Sequence, residues 1–246
     1  MQQVLLLLLP GLASDAQLWR DQIPALAARG YQPVVSDVHA RYATLPEMAA
    51  ALLSETSGPL VLVGTSMGGI LALEVFRQAP SRVAAMALLG STARPDTAQM
   101  RQLREDAIVL FEQGRALEVL RANVPFAFHA SRVGDAGLVQ GYLDMVMRAG
   151  ADQLIVQNRA IMARADSRPL LSTIGCPFLM MWGDSDALTP PECAREIVAA
   201  IAHAEYEELP QCGHLLTWEC PGQVNARLIK WLDALMTPPP KQTSPS

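Results

Sequence analysis

The 246-residue sequence is poor in aromatic residues, in lysine and in positive charge. Only 5% of its residues are Phe, Trp or Tyr, its only lysines are Lys230 and Lys241, and its formal net charge is −5. A nucleic-acid-binding domain carries a basic patch or stripe. None is present here, so we expect no nucleic-acid partner.

Cysteines are also few, and their spacing fits no metal or redox motif. They are Cys176, Cys193, Cys212 and Cys220, and no two of them form a CxxC pair. A chain of this length can bury a core without a disulfide framework, so we expect reduced thiols in a cytoplasmic protein. The sequence also has no GxGxxG fingerprint and no cluster of metal ligands. It therefore predicts neither a cofactor nor a metal.

Long apolar runs are missing as well. The run near the start, Val4–Leu9, has six residues and no Lys or Arg before it. A secretory signal needs a basic start and a longer apolar stretch, and a membrane-spanning helix needs about 20 apolar residues. We interpret the run as a buried strand and expect no association with a membrane.

What the sequence has instead is a regular alternation of short apolar runs and helical segments. This alternation is typical of a mostly parallel sheet covered by helices on both faces, and continuous apolar strands indicate burial of both faces. The predicted strands are Val4–Leu9, Gln32–Ser36, Leu60–Gly64, Val83–Leu89, Phe178–Trp182 and Ala204–Leu209. The predicted helices are Ala16–Arg29, Leu45–Glu55, Met67–Gln78, Pro190–Ala202 and Pro221–Met236.

Residues 93–170 interrupt this alternation. They contain no convincing strand, and their apolar residues recur with helical spacing, as at Leu103, Ala107 and Leu110. A helical insertion of this length between two strands predicts a cap over the sheet. The core then comprises residues 1–92 and 171–236, and the proline-rich tail 237–246 is expected to be disordered.

The strongest functional signal is Gly64-Thr65-Ser66-Met67-Gly68, a G-x-S-x-G pattern between an apolar strand and a helix. In that context the pattern indicates a nucleophile elbow, a sharp turn that projects the serine hydroxyl above the sheet. The glycines allow close approach of neighbouring backbone, and the N-terminus of the following helix favours negative charge. We predict that Ser66 is a catalytic nucleophile.

A serine hydroxyl needs a base that takes its proton. His214 follows the last strand and therefore lies at the sheet edge where ligands bind in open α/β folds. The histidines that fit less well are His39, on a loop expected to be mobile, His129, in the insertion, and His203, at a helix end. We predict that His214 is the base.

The base needs a carboxylate that orients it, and two aspartates follow the fifth strand. Asp186 lies deeper in the loop and is preferred, while Asp184 is the alternative. The order Ser, Asp, His is that of α/β-hydrolases. The oxyanion of the reaction is expected to rest on the backbone N–H groups of Met67 and of Leu12, in the loop after the first strand.

Taken together, these motifs resemble the α/β-hydrolase superfamily across nearly the whole chain. The resemblance is carried by Leu8-Leu9-Pro10-Gly11, Gly64-Thr65-Ser66-Met67-Gly68-Gly69, Trp182-Gly183-Asp184-Ser185-Asp186 with Pro190, Gly213-His214, and Glu219-Cys220-Pro221. The chain is similar to small capped carboxylesterases, among them the carrier-protein methyl ester esterase and 3-oxoadipate enol-lactonase. The resemblance implies cofactor-free hydrolysis of a small ester through Ser66, His214 and Asp186, with a structural role for Glu219.

The sequence departs from the family pattern beside the expected site. The usual His-Gly after the first strand is Pro10-Gly11 here, which removes a polar side chain that steadies the loop. The glycine-rich loop after the next strand is replaced by Asp37–Thr44, and this change is expected to reshape one side of the pocket. The family's first two strands have no counterpart in the sequence.

The insertion is expected to select the substrate, which we predict to be small and apolar. The candidate wall residues are Phe126, Phe128 and Met145, and the alternative is that each belongs to the insertion's own core. The arginines of the insertion would meet an acidic carrier protein or form a solvated surface. Lactonase, thioesterase, lyase and cofactor-free haloperoxidase activities remain alternatives on the same fold. A non-catalytic binding protein is the alternative from another class. A monomer or a homodimer is expected.

Overall fold

In the computed structural model, which describes residues 4–236, six parallel strands form one sheet in the order β2-β1-β3-β4-β5-β6. The strands are β1 (Leu5–Leu9), β2 (Val34–Val35), β3 (Leu60–Thr65), β4 (Val83–Leu89), β5 (Phe178–Gly183) and β6 (Glu205–Leu209). Each lies within a residue or two of a run that the sequence predicts as a strand. The predicted α/β fold class is therefore confirmed.

Helices connect the strands. They are α1 (Gln22–Ala28), α2 (Val38–Arg41), α3 (Leu45–Glu55), α4 (Met67–Gln78), α5 (Ala98–Glu112), α6 (Ala116–Ala127), α7 (Ala136–Met162), α8 (Arg168–Leu171), α9 (Pro191–Ala200), α10 (Leu216–Glu219) and α11 (Pro221–Met236). The strand order reverses between β1 and β3, because the chain first adds β2 on one side of β1 and then β3 on the other. Ligands bind in the crevice at such a reversal in open α/β sheets.

The core lies on both faces of the sheet. Alternate residues of β1 belong to two separate clusters of buried side chains, Leu6 and Leu8 to one and Leu7 and Leu9 to the other. This follows from the two-residue period of a strand. The expectation that every strand is buried on both faces is wrong for the two edge strands, because β2 is partly exposed and four of the five residues of β6 are exposed.

The predicted helix Ala16–Arg29 is two elements in the structure. A 3₁₀ helix spans Ala16–Trp19, and α1 begins at Gln22. Pro24 explains the break, because proline has no N–H to donate and fits only the first turn of a helix. One continuous helix would have placed Pro24 in its interior.

Between β4 and β5 the chain forms the insertion helices α5, α6, α7 and α8. The long helix α7 is kinked at Gly150, whose φ of 84° lies outside the helical region. Buried side chains of the insertion, such as Leu120 and Leu143, belong to the same cluster as one face of the sheet. The insertion and the sheet therefore share one core.

A buried ion cluster joins the two ends of the insertion. The Asp96 side chain is fully buried and lies 2.7 Å from the Arg164 guanidinium and 2.8 Å from that of Arg104. Arg164 also donates to the backbone carbonyl of Arg94. The start and the end of the insertion are thereby held side by side.

Two expectations concern membranes and the tail. Among residues 4–236, none of the helices combines the length and apolar character that a membrane span requires. The tail 237–246, predicted to be disordered, lies outside the described residues.

Candidate active site

Ser66 occupies the sharp turn between β3 and α4 in a strained conformation, with φ of 50° and ψ of −117°. Close packing enforces the turn. A Cβ on Gly68 would overlap the carbonyl of Leu9, and one on Gly64 would overlap the backbone of Gly68. The Ser91 hydroxyl donates a 2.8 Å hydrogen bond to the Ser66 carbonyl and supports the turn from β4. Strain of this kind persists where the surroundings over-determine it, as they do here.

The structure brings Ser66, His214 and Asp186 together in one hydrogen-bonded chain. The Ser66 Oγ lies 2.9 Å from His214 Nε2, and His214 Nδ1 lies 2.8 Å from Asp186 Oδ2. The carboxylate accepts a hydrogen bond from the Nδ1–H group, which keeps that proton on Nδ1 and leaves Nε2 of the neutral ring to accept from the hydroxyl. This arrangement allows the imidazole to take a proton from Ser66.

The Asp186 carboxylate is buried and fully engaged. Its Oδ1 accepts from the amides of Leu188 and Thr189 at 2.9 and 2.8 Å, and its Oδ2 accepts from the Thr189 hydroxyl at 2.7 Å. Burial alone would raise the pKa of Asp186, but the charge of His214 and these hydrogen bonds hold it below its ordinary value. The carboxylate therefore stays ionised beside the imidazole.

The environment of His214 raises its pKa above the ordinary histidine value of 6.5. Burial disfavours the charged ring and lowers the pKa of His214. The charge of Asp186 and its hydrogen bond raise this pKa by more, and the charge of Glu219 raises it further. The protonated form of this imidazole is thus stabilised relative to that of an ordinary histidine.

Asp184, the alternative acid, does not reach the imidazole. Its carboxylate accepts hydrogen bonds from the amides of Gln211 at 2.9 Å and Cys212 at 3.3 Å. Gln211 has a φ of 53°, which is unusual for a residue with a side chain. Asp184 therefore fixes the turn that leads to His214.

Glu219 holds the His214 loop from its other side. Its buried carboxylate accepts from the Gly213 amide at 3.1 Å and from the His129 amide at 2.7 Å. Burial raises the pKa of Glu219 despite these bonds. The His214 amide also donates to the carbonyl of Ala127, at the end of α6. The loop is therefore docked against the insertion.

We define the oxyanion loop as residues 10–14. A Cβ built on Gly11 would lie 3.4 Å from Ser66 Cβ and 3.7 Å from Ser14 Oγ, so the loop runs directly beside Ser66. The amides of Leu12 and Met67 donate no hydrogen bond within the part of the chain that the structure describes. Both therefore remain available to an oxygen atom of a ligand.

None of the remaining histidines forms a hydrogen bond with Ser66 in the described part of the chain. His39 is not on a mobile loop, because the chain forms α2 there and buries the ring, which is 5% exposed. Its Nε2 lies 2.8 Å from the Ser14 carbonyl, and burial lowers its pKa. His203 Nε2 contacts the Cys176 carbonyl, and His129 Nδ1 contacts the Ser131 hydroxyl.

A cavity of about 490 Å³ lies between the oxyanion loop, α2 and α7. Its walls include Met145, together with His39 and Ala40 from the segment that replaces the glycine-rich loop. Neither Ser66 nor His214 lines it; the oxyanion loop separates the cavity from the hydroxyl.

Phe126 and Phe128, the other candidate wall residues, lie elsewhere. Phe126 is 53% exposed, and Phe128 is buried edge-on against Tyr142 with ring centroids 5.7 Å apart. Neither lines this cavity, which Ser66 and His214 do not line either. Phe128 directly follows α6, and its backbone approaches Gly213 beside His214, so its place in the wall of the catalytic site stays a prediction. Across residues 4–236, no three His, Cys, Asp or Glu side chains are arranged to hold a metal ion.

Comparison with known proteins places this geometry in context. The family model described as alpha/beta hydrolase fold matches residues 4–221. BpoC of Mycobacterium tuberculosis, provisionally named a non-heme bromoperoxidase, is 26% identical over 234 residues, which cover 85% of this chain and 86% of that protein.

A 2-hydroxy-6-oxononadienedioate/2-hydroxy-6-oxononatrienedioate hydrolase of Paraburkholderia xenovorans is 30% identical over 180 residues. The match covers 70% of this chain and 61% of that enzyme. A thermophilic esterase from Thermogutta terrifontis has the same fold, with a TM-score of 0.84, 24% identity, and coverage of 96% of this chain and 91% of that one. The family and the hydrolase relative support a hydrolytic role, and the esterase shows the shared fold.

Proposed function

The chain belongs to the α/β-hydrolase fold family, and on that premise we propose that it is a serine hydrolase of carboxylic esters that uses Ser66, His214 and Asp186. The observation that carries the proposal is the continuous series of short contacts from hydroxyl to imidazole to carboxylate. A buried carboxylate kept ionised and an imidazole of raised pKa suit general base catalysis. A binding pocket would gain nothing from this series.

In the first half of the proposed reaction, Ser66 Oγ attacks the ester carbonyl while His214 Nε2 accepts the hydroxyl proton. The carbonyl oxygen becomes an oxyanion that the N–H groups of Leu12 and Met67 stabilise. The tetrahedral intermediate then collapses, the C–O bond to the alcohol breaks, and His214 returns its proton to the leaving oxygen. An acyl-Ser66 ester remains.

In the second half, a water molecule replaces the alcohol. His214 takes a proton from the water, whose oxygen attacks the acyl carbonyl, and the same two amides stabilise the second oxyanion. The bond to Ser66 Oγ breaks, the hydroxyl regains its proton from His214, and the carboxylic acid is released. Both halves use the same groups in opposite directions.

We propose an ester with a small apolar acyl group as the substrate. The insertion contributes mainly apolar side chains, such as Leu120, Leu143 and Met145, to the core that it shares with the sheet, which supports an apolar acyl group. Thioesters differ in the leaving atom, which is sulfur, and lactones differ in that the leaving oxygen is part of the same ring, so both remain within reach of the same site. A panel of p-nitrophenyl esters, lactones and thioesters compares these classes, and a bromination assay with bromide and hydrogen peroxide tests the activity for which BpoC is named.

Replacing Ser66 by Ala tests the proposal directly. We expect ester hydrolysis to fall to background and labelling by a fluorophosphonate probe to disappear, because no other hydroxyl contacts His214 Nε2 within the described chain. Ser54→Ala, on the exposed face of α3, is the matched control and should keep both. Circular dichroism checks that both variants fold. Hydrolysis at the wild-type rate in a folded Ser66→Ala protein would refute the proposal.

A further inference from the structure

We propose that Gln157, on the insertion helix α7, is a positioning residue that holds the oxyanion loop in its working conformation. The inference rests on the proposed function, because it assigns a task within that reaction. It concerns a residue 144 positions along the chain from the loop, outside every motif in the sequence.

The oxyanion loop needs support from outside. Ala13 has a φ of 49°, in the left-handed region that residues with a side chain rarely adopt, and it is buried. Residue 10 is a proline and offers neither a polar side chain nor an N–H group. The conformation must therefore be fixed by neighbouring elements.

Gln157 supplies that support through its side-chain amide. The Ala13 N–H donates to Gln157 Oε1 at 2.6 Å, and Gln157 Nε2 donates to the His39 carbonyl at 2.9 Å and to Gln153 Oε1 at 2.8 Å. The Gln157 side chain is 1% exposed, and its donors and acceptor are all used. Rotating the amide by 180° would set an NH₂ group against the Ala13 N–H, so the network permits one orientation only.

His39 holds another peptide group of the same loop, the one between Ser14 and Asp15. Burial lowers the pKa of His39, so the ring is neutral, and its 2.8 Å contact with the Ser14 carbonyl requires the proton on Nε2. Gln157 in turn binds the backbone of His39. Gln157 from α7 therefore binds the Ala13 N–H, and His39 from α2 binds the Ser14 carbonyl, while the two residues also contact each other.

The hydrogen bond between Gln157 and the Ala13 N–H lies one residue away from a proposed oxyanion donor, the Leu12 N–H. The Ala13 N–H belongs to the peptide group that follows Leu12, while the Leu12 N–H belongs to the group that precedes it. Only the two backbone rotations of Leu12 separate these groups. Fixing the peptide group that carries the Ala13 N–H therefore limits how far the group that carries the Leu12 N–H can turn from the developing oxyanion. Donors fixed in advance stabilise the transition state more than the bound ester.

The experiment compares Gln157→Met with Gln157→Glu. Methionine has a similar length but no acceptor for the Ala13 N–H, whereas glutamate keeps an acceptor oxygen there. Gln140→Met, at an exposed position of the same helix, is the matched control. The readouts are kcat and KM for p-nitrophenyl acetate and the inhibition constant of a trifluoromethyl ketone, which forms a tetrahedral adduct with serine. Rates are expressed per active site titrated with a fluorophosphonate, so that unfolded molecules do not count.

We expect Gln157→Met to lower kcat by about 10- to 100-fold with KM changed by less than about threefold, the size of effect that a misplaced catalytic group produces. Affinity for the ketone should weaken in parallel, Gln157→Glu should retain more kcat than Gln157→Met, and Gln140→Met should match the wild type. A kcat of Gln157→Met equal to wild type, or a loss confined to KM, overturns the inference. Should Gln157→Met fail to fold, Gln157→Ala is measured in its place: a lower kcat and a weaker ketone affinity at an unchanged KM support the inference, and a wild-type kcat overturns it. Failure of the proposed function is seen separately, as turnover that survives in Ser66→Ala.

Discussion

At the scale of single residues, the two aspartates after β5 perform different tasks although only one residue lies between them. Asp186 contacts the imidazole, while Asp184 binds the amides of Gln211 and Cys212 in the turn before His214. The sequence favours Asp186, the member of the pair that contacts the imidazole, because position 186 lies deeper in the loop. The two aspartates therefore provide a matched pair of variants, Asp186→Asn and Asp184→Asn.

Replacing Asp186 by Asn should lower kcat by about 10⁴-fold, because an amide neither stabilises the imidazolium nor keeps the proton on Nδ1. Asp184→Asn removes the charge from the same loop without touching His214 and should reduce kcat far less. Steady-state kinetics of both variants on one p-nitrophenyl ester make the comparison. A larger loss in Asp184→Asn than in Asp186→Asn would reverse the assignment of the acid.

The pH profile of the wild type should show an acid limb with its midpoint above 6.5. The base acts when it is neutral, so the rate falls as the pH decreases through the pKa of His214, which Asp186 raises. In Asp186→Asn the raising charge is absent, so the limb should move to lower pH. Measuring kcat/KM between pH 5 and 9 tests both statements, and an unchanged midpoint in the variant would contradict them.

Some residues of the site can be recognised from the sequence around them, and others only from their partners in the folded chain. Ser66, His214 and Asp186 could be named from the sequence because each lies in a recognisable loop directly after a strand. Thr189, Ser91 and Gln157 could not, because their roles arise from partners that only the fold brings near. The sequence predicts a mobile loop at His39 because nothing local indicates that the ring is buried against Ser14.

At the scale of elements, hydrophobic patterns alone mispredict one helix, which contains Pro24, and the burial of the two edge strands β2 and β6. The helix expected from Ala16 to Arg29 ignores the restriction that Pro24 imposes on a helix interior. Helix α3 has the bounds that the pattern predicts, and its start carries a capping box between Thr44 and Glu47. Local rules thus determine where helices begin. Burial of a whole strand depends on what packs beside it.

The ion cluster at the ends of the insertion makes a prediction about stability. Asp96→Asn leaves the buried Arg164 without its counter-charge and should lower the free energy of unfolding by about 3 kcal/mol. Asp106→Asn, on the exposed face of α5, should change it by less than about 0.5 kcal/mol. Urea titrations followed by circular dichroism compare the two. Equal midpoints would show that the cluster contributes nothing net.

At the scale of the whole molecule, the division into a core of residues 1–92 and 171–236 and a cap of residues 93–170 remains a prediction about domains. The insertion shares a hydrophobic cluster with the sheet, and it contributes contacts to both sides of the site. Helix α6 receives the His214 loop at Ala127, and α7 receives the oxyanion loop at Gln157. The sequence indicates the helical character of this segment but not its contacts, because those join residues about 90 to 150 positions apart.

The charges on the edge strand β6 oppose association of two copies of this protein through that edge. Strand β6 exposes Glu205, Glu207 and Glu208, and these carboxylates reach back to Arg227 and Arg195 of the flanking helices. Two such strands pairing edge to edge would bring like charges about 5 Å apart and break these ion pairs. Extension of the sheet from one molecule into the next is therefore electrostatically disfavoured, and aggregation through this edge should increase as the glutamates are neutralised in acid.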